Sequence, residues 1–233
     1  MKHKNKHSAI ILCGGMSRRM GEDKGAMEID KKPMIVHVLE VLTYQIDEVI
    51  IVLNDSKRIA KYKSLIQEYL DKNYSDNYNQ FDFDIIFVED EIKNKGPLSG
   101  IMTGLKTISS GYGLVLPCDT PYISFDFVNY MFNTLNDVRR ADICSDMEGI
   151  VPFHTTEEDS KKVNLNNTEP LHSIYKKENF SIIEDLLKSD EKRVKSFISM
   201  IDIYFVPITG GSNSKINEIN FKNINYKDDF QDN

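Results

Sequence analysis

The chain has 233 residues, 40 % of them hydrophobic, and 29 basic against 36 acidic side chains leave a formal charge of −7. A chain of this size buries roughly 70–75 % of its unfolded surface, so it needs no cross-links to fold. The acidic balance argues against general nucleic-acid binding, which shows a basic surplus. Three cysteines, Cys13, Cys118 and Cys144, without metal-ligand spacing point away from a disulfide framework or a zinc site and towards a reducing cytoplasm. The basic start "MKHKNKHSAIILCGG" holds too short an apolar run for a signal peptide. No stretch approaches the ~20 apolar residues of a membrane span. A soluble cytoplasmic protein is expected.

In chain order, "AIILC" (Ala9–Cys13) predicts the first strand, and "PMIVHVLEVLTYQ" (Pro33–Gln45) a helix with Pro in its first turn. "EVIIVLN" (Glu48–Asn54) predicts the second strand, followed by a helix over Ser56–Leu70 with Ser56 as N-cap. "FDIIFVED" (Phe83–Asp90) is the third strand, and "GPLSGIMTGLKTI" (Gly96–Ile108) a helix leaving a glycine-rich loop. "YGLVLPCD" (Tyr112–Asp119) is the fourth strand, with a helix over Ile123–Leu135. Strand candidates then follow around Ala141–Phe153 and His172–Lys177 with no crossover helix between them. The segment Ser181–Ile201 reads as a helix, a break and a second short helix, and Ile201–Ile208 as a late strand. The polar runs Asp71–Gln80 and Thr155–Thr168 read as loops, the second a candidate flap near a substrate. Apolar strands alternating with helices predict an α/β fold, a mainly parallel sheet with helices on both faces.

In such sheets ligands bind at the carboxyl ends of the strands, and the unusual motifs fall there. Gly14 and Gly15 follow the first strand, and Arg18, Arg19 and Lys24 add cations. This loop can cradle phosphate with backbone N–H groups, or simply be a tight turn with surface charges. It is neither a P-loop, since Glu22 follows Gly21, nor G-x-G-x-x-G. Asp119, ending the fourth strand, can bind Mg²⁺ together with phosphates and water, or serve as a turn residue before Pro121. "NKGPLSG" (Asn94–Gly100) is a second glycine-rich loop, and Asn54 and Asp90 end the second and third strands. Asn223 and Asn225 share one face if the tail is extended. Lys192, Arg193 and Lys195 form a solvated face or an anion site. His3, His7, His37, His154 and His172 show no ligand spacing, and no G-x-S-x-G or Cys–His nucleophile arrangement is visible. Cys13 and Cys118, at the ends of strands expected to be neighbours, should lie close together as small buried residues.

Taken together, "LCGGMSRRMGEDKG", "GPLSGIMTGL", "LPCDTPYIS", "EPLHSIY", "KRVKSF" and "FKNINYKDDF" resemble, in order, the motifs of MobA-type molybdenum cofactor guanylyltransferases, from about Ala9 to Phe230. The resemblance implies a Rossmann-like, nucleotide-diphosphosugar-transferase-like domain over residues 1–233. Residues 1–7 would be a disordered tail, about 8–135 the nucleotide-binding half and about 136–230 the acceptor-binding half. It implies GMP transfer from GTP to molybdopterin cofactor, with Mg²⁺ as cofactor and molybdoenzyme maturation proteins as further partners. By the same resemblance Leu12, Cys13 and Gly14 contact the guanine nucleotide, and Gly15, Arg19 and Lys24 hold its phosphates. Asn54, Asp90 and Gly96 take nucleotide positions, Asp119 the metal position, and Gly100, Arg193, Asn223 and Asn225 the acceptor side. Lys24, Arg19 and Asp119 are the implied catalytic set. Cys13 stands where the family pattern has Ala, and "INYKDD" where it has I-N-T-P-E-D. Alternatives are cytidylyl transfer to molybdopterin, guanylyl transfer to a corrinoid or phospholactate, and a non-catalytic GTP-binding protein.

Overall fold

Six consecutive apolar or screened residues, Glu48–Leu53, are all buried, as expected of a strand covered on both faces. They form the second strand from one edge of a seven-stranded sheet in a computed structural model that describes residues 6–14, 23–74, 81–141, 146–155, 163–209 and 216–224. The strands and helices in chain order are β1 (Ser8–Leu12), β2 (Glu28–Ile29), β3 (Lys32–Pro33), α1 (Met34–Leu42), β4 (Glu48–Leu53), α2 (Ser56–Asn73) and β5 (Asp84–Glu89). There follow α3 (Pro97–Thr107), β6 (Tyr112–Pro117), α4 (Phe125–Arg140), β7 (Gly149–Thr155), β8 (Ile174–Lys176), α5 (Phe180–Lys188), α6 (Val194–Ile198) and β9 (Ile203–Thr209).

The sheet order is β5-β4-β1-β6-β8-β7-β9, with β2 and β3 forming a separate two-stranded ribbon. β1 pairs in parallel with both β4 and β6, β4 with β5, and β7 with β9. Only β8 runs antiparallel, against β6 and β7, so the other six strands of this sheet share one direction. That reversal fits the connection: among the described residues, β7 and β8 are joined by only a 3₁₀ turn, and a parallel return needs a longer crossover. Helices cover both faces. Ile35, Tyr62, Phe127 and Met131 from α1, α2 and α4 pack on one, and Leu98, Ile101, Ile183 and Phe197 from α3, α5 and α6 on the other.

Local signals explain most boundaries, with instructive departures. α1 starts after Pro33 and stops at Leu42, before the Tyr44 backbone turns left-handed at φ 67°. α2 is capped by Asp55, not Ser56: Asp55 keeps an extended backbone, and its carboxylate accepts from the Arg58 N–H at 2.9 Å. The same helix runs on to Asn73, so the first residues of the expected 71–80 loop are helical; residues 75–80 lie outside the described residues. In the other expected loop, Asn164 and Asn167 form a reciprocal capping box around a 3₁₀ turn over Leu165–Asn167. Among the described residues no helix is long and apolar enough to cross a membrane.

Candidate active site

Because six strands share a direction, their carboxyl ends lie along one edge of the sheet. Gly14 follows β1, Asn54 follows β4, Asp90 follows β5 and Asp119 closely follows β6. His154 ends the same edge on β7. Among the described residues, Gly14, Asn54, Asp90 and Asp119 therefore lie along one edge of the sheet.

At the centre of this edge, the Lys24 Nζ donates to Asp119 Oδ2 at 3.0 Å, each side chain about one-fifth exposed. Lys24 opens a 3₁₀ turn, Lys24–Ala26, that leaves the first loop. Asp119 sits in a turn closed by Thr120, whose hydroxyl donates to the Pro117 carbonyl at 3.0 Å. The Asp119 carbonyl accepts from the Ile224 N–H at 2.9 Å, and Asn220 Nδ2 donates to the Tyr122 carbonyl at 2.8 Å. The segment bearing Asn223 is thus laced onto the Asp119 turn, with Asn223 exposed and Ile224 buried.

Leu12 and Cys13 spend backbone groups on the sheet: Cys118 N–H donates to the Leu12 carbonyl at 3.2 Å, and Cys13 N–H to Val52 at 2.9 Å. Gly14 is the exposed residue of this set, and its carbonyl accepts from Asn54 Nδ2 at 2.6 Å. Cys13 and Cys118 are both buried free thiols close enough to interact; burial, reinforced by Cys118, pushes the Cys13 thiol well up. They are neighbours, as the strand order requires.

Asp90 turns back on its own loop. Its carboxylate accepts from the Ser99 hydroxyl, from Thr103 Oγ1 at 3.2 Å and from the Ile92 N–H at 3.3 Å. Burial raises its pKa, against the pull of these donors. Asp90 thereby shapes the β5–α3 connection, which ends at Gly96 in a conformation (φ 74°, ψ −166°) open to glycine. Gly100 is buried in α3, where an added Cβ would meet Leu12 Cδ2 at 3.0 Å; it lets α3 lie close on β1. Arg193 is exposed and forks onto Glu191, with Nε 3.0 Å from Oε1. Gly15, Arg18, Arg19, Asn225 and Cys144 lie outside the described residues.

Other residues enter only with the structure. Glu169 of "EPLHSIY" accepts from His154 Nε2 at 2.8 Å and stands 3.5 Å from His172 Nδ1. Although burial would raise it, the His154 hydrogen bond and the two imidazoles beside it hold Glu169 down to about 2, and the Glu169 contact raises His154. Phe221 packs edge-on against both imidazoles, 5.1 Å between centroids. The histidines stand eighteen positions apart in the chain, a spacing with no local period; only the quoted motif marked Glu169 and His172. Arg58 and Tyr62 went unmarked, and Asp23 was marked only as part of the first motif, next to Lys24.

For a metal, the donor set fits an ion that takes few protein ligands. Among the described residues no cluster of three His, Cys, Asp or Glu groups can hold one alone. Asp119 supplies a partly exposed carboxylate beside a lysine suited to phosphate, the pattern of a site completed by substrate oxygens and water.

A mainly parallel sheet with a charged carboxyl edge is an architecture found among α/β nucleotide-binding enzymes, and family comparison places it. The model of the MobA-like NTP transferase domain matches residues 9–202, and the chain belongs to this family. It is 30 % identical over 195 residues, 84 % of either chain, to a protein of Methanothermobacter thermautotrophicus named "Probable molybdenum cofactor guanylyltransferase". It is 29 % identical over 225 residues, 96 % of this chain and 89 % of the other, to the molybdenum cofactor guanylyltransferase of Syntrophotalea carbinolica. In fold it is similar to the crystal structure of molybdopterin-guanine dinucleotide biosynthesis protein A from Archaeoglobus fulgidus, with TM-score 0.67, 20 % identity and coverage of 96 % and 95 %.

Proposed function

We propose that the protein transfers GMP from GTP to the terminal phosphate of molybdopterin cofactor, forming the guanine dinucleotide and pyrophosphate. The observation that carries this reading is the Lys24–Asp119 pair at the carboxyl edge of a MobA-like sheet. The names of the relatives supply the guanine base and the pterin acceptor.

In this reading an oxygen of the acceptor phosphate attacks the α-phosphorus of GTP, and the bond to the β-phosphate bridging oxygen breaks opposite it. The acceptor is already anionic, so no strong base is needed, and the chain's task is positioning and charge compensation. The Lys24 ammonium holds the triphosphate, aided by Arg19 and by backbone N–H groups around Gly14 and Gly15. Asn54 fixes the Gly14 carbonyl, which sets how closely the loop approaches the nucleotide beside Leu12 and Cys13. Asp90 and Gly96 shape the second loop, from which the N-terminus of α3 faces the same edge. A Mg²⁺ ion held by Asp119 would neutralise phosphate charge. Arg193, Asn223 and Asn225 serve the acceptor side.

The test is pyrophosphate release with GTP, CTP or ATP crossed with molybdenum cofactor. Release confined to GTP with cofactor supports the reading. Release with CTP alone reassigns the base, and GTP binding without turnover points to a carrier.

A further inference from the structure

The residue before Lys24 is held more firmly than any role assigned so far requires. Asp23 Oδ1 accepts from Arg58 Nη2 at 2.6 Å and from the Tyr62 hydroxyl at 2.6 Å, and Oδ2 accepts from Arg58 Nε at 3.0 Å. Lys61, more exposed, stands 3.9 Å from Oδ2. Arg58 and Asp23 are 13 % and 12 % exposed, and Tyr62 is fully buried. Arg58 and Tyr62 are four residues apart on α2, so they present one face of the helix, with the guanidinium 5.9 Å from the ring centroid. Burial pushes the Tyr62 hydroxyl up, helped by the Asp23 carboxylate beside it, so it stays a donor.

The grip continues through the turn. The Asp23 carbonyl accepts from Ala26 N–H at 3.0 Å and the Lys24 carbonyl from Met27 N–H at 3.0 Å. Gly25 is wedged between α2 and β6: an added Cβ would crowd the Tyr62 hydroxyl and lie 2.9 Å from Cys118 Sγ. Cys118 is the neighbour of Asp119. One short segment is therefore clamped on its α2 side by Asp23 and on its sheet side by Gly25, and Lys24 between them meets Asp119. Lysine is a flexible four-carbon stem, so a fixed backbone origin decides where its ammonium spends its time.

We propose that Arg58 and Tyr62 are positioning residues for nucleotidyl transfer: by gripping Asp23 they present Lys24 to the phosphates, and they act on the reaction through Lys24 alone. This rests on the reading of Lys24 as a phosphate-holding cation. A misplacement of about 1 Å in such a group costs on the order of 10²-fold in rate.

The experiment is a double-mutant cycle in kcat for pyrophosphate release from GTP and molybdenum cofactor, with wild type, R58M, K24M and the double variant, each normalised to its folded fraction. Y62F and R58K run alongside as gentler changes, and thermal unfolding is recorded for all. Lys24→Met is expected to cost about 10²–10³-fold and Arg58→Met about 10–100-fold, with the double variant within about threefold of K24M alone. R58K should recover part of the loss, and Y62F should cost about 3–10-fold. Multiplying losses in the double variant would overturn the proposal, as would wild-type kcat in a folded R58M. If R58M does not fold, wild-type kcat in both Y62F and R58K would overturn it. Undiminished activity in K24M would remove the phosphate role of Lys24 itself, a different failure from a costly K24M beside a harmless R58M.

Discussion

Lys24 and Asp119 stand 95 residues apart in the chain, yet Nζ and Oδ2 lie 3.0 Å apart at the head of the sheet. Each is one-fifth exposed, so the pair is poised between protein and solvent and can exchange one partner for a ligand. A partly exposed single ion pair of this kind contributes on the order of 1 kcal/mol to stability. Asp119→Ala should therefore leave the thermal midpoint nearly unchanged while lowering kcat by about 10²–10³-fold. Near-normal turnover at saturating Mg-GTP would take the metal role away from Asp119.

Asn54 reaches back to the Gly14 carbonyl at 2.6 Å, bridging the ends of β4 and β1. One neutral hydrogen bond of this kind is worth about 0.5–1.5 kcal/mol. Asn54→Ala should raise the KM for GTP several-fold more than it changes the KM for the acceptor. Steady-state kinetics with each substrate varied in turn checks this; equal shifts in both would count against a nucleotide-side role.

Gly96 begins α3 at φ 74° and ψ −166°, with nothing within 4 Å of where a Cβ would sit. The obstacle to a side chain is thus backbone conformation rather than space. Gly96→Ala should cost about 1–3 kcal/mol of strain, relieved in part by reshaping the loop. A drop in the unfolding midpoint together with a raised KM for GTP is expected, and an unchanged midpoint would show that the loop relaxes freely.

The His154–Glu169 contact gives a pH signature. Glu169, held at about 2 against an ordinary 4.5, contributes stability that is complete above 4.5 and lost as pH falls towards 2. His154, raised above 6.5, contributes stability complete below 6.5 and lost as pH climbs through its folded value. The two overlap between pH 4.5 and 6.5, where the deficit of His154→Gln relative to wild type should be greatest. Urea midpoints measured across that range and up to pH 9 test it; a deficit that grows on the alkaline side would contradict the pairing.

Much of the architecture was readable because burial leaves a local trace. The all-buried Glu48–Leu53 strand, the Pro33 entry to α1 and the helix, break, helix over 181–201 carry their period or punctuation within a few residues. Boundaries shifted where two residues compete for one role, as Asp55 and Ser56 do at the start of α2. Candidate site positions were marked at strand ends, where glycines and isolated polar residues interrupt apolar runs. What such residues do was less so: Asp90 ends its strand as expected, but its carboxylate is taken up by Ser99 and Thr103 of α3.

The sequence by itself determined the layered α/β sheet and the glycine-rich segments and polar residues after its strands, because apolar period and glycine placement are properties of short segments; choosing Lys24, Arg19 and Asp119 as a set rested on the motif resemblance. Only the tertiary structure decided that Asp23 is gripped by Arg58 and Tyr62, and that Glu169 gathers His154 and His172. These partners lie on different elements, and their meeting depends on strand order and helix placement. Hydrogen bonding between groups so far apart in sequence leaves no periodic mark on the chain that makes it.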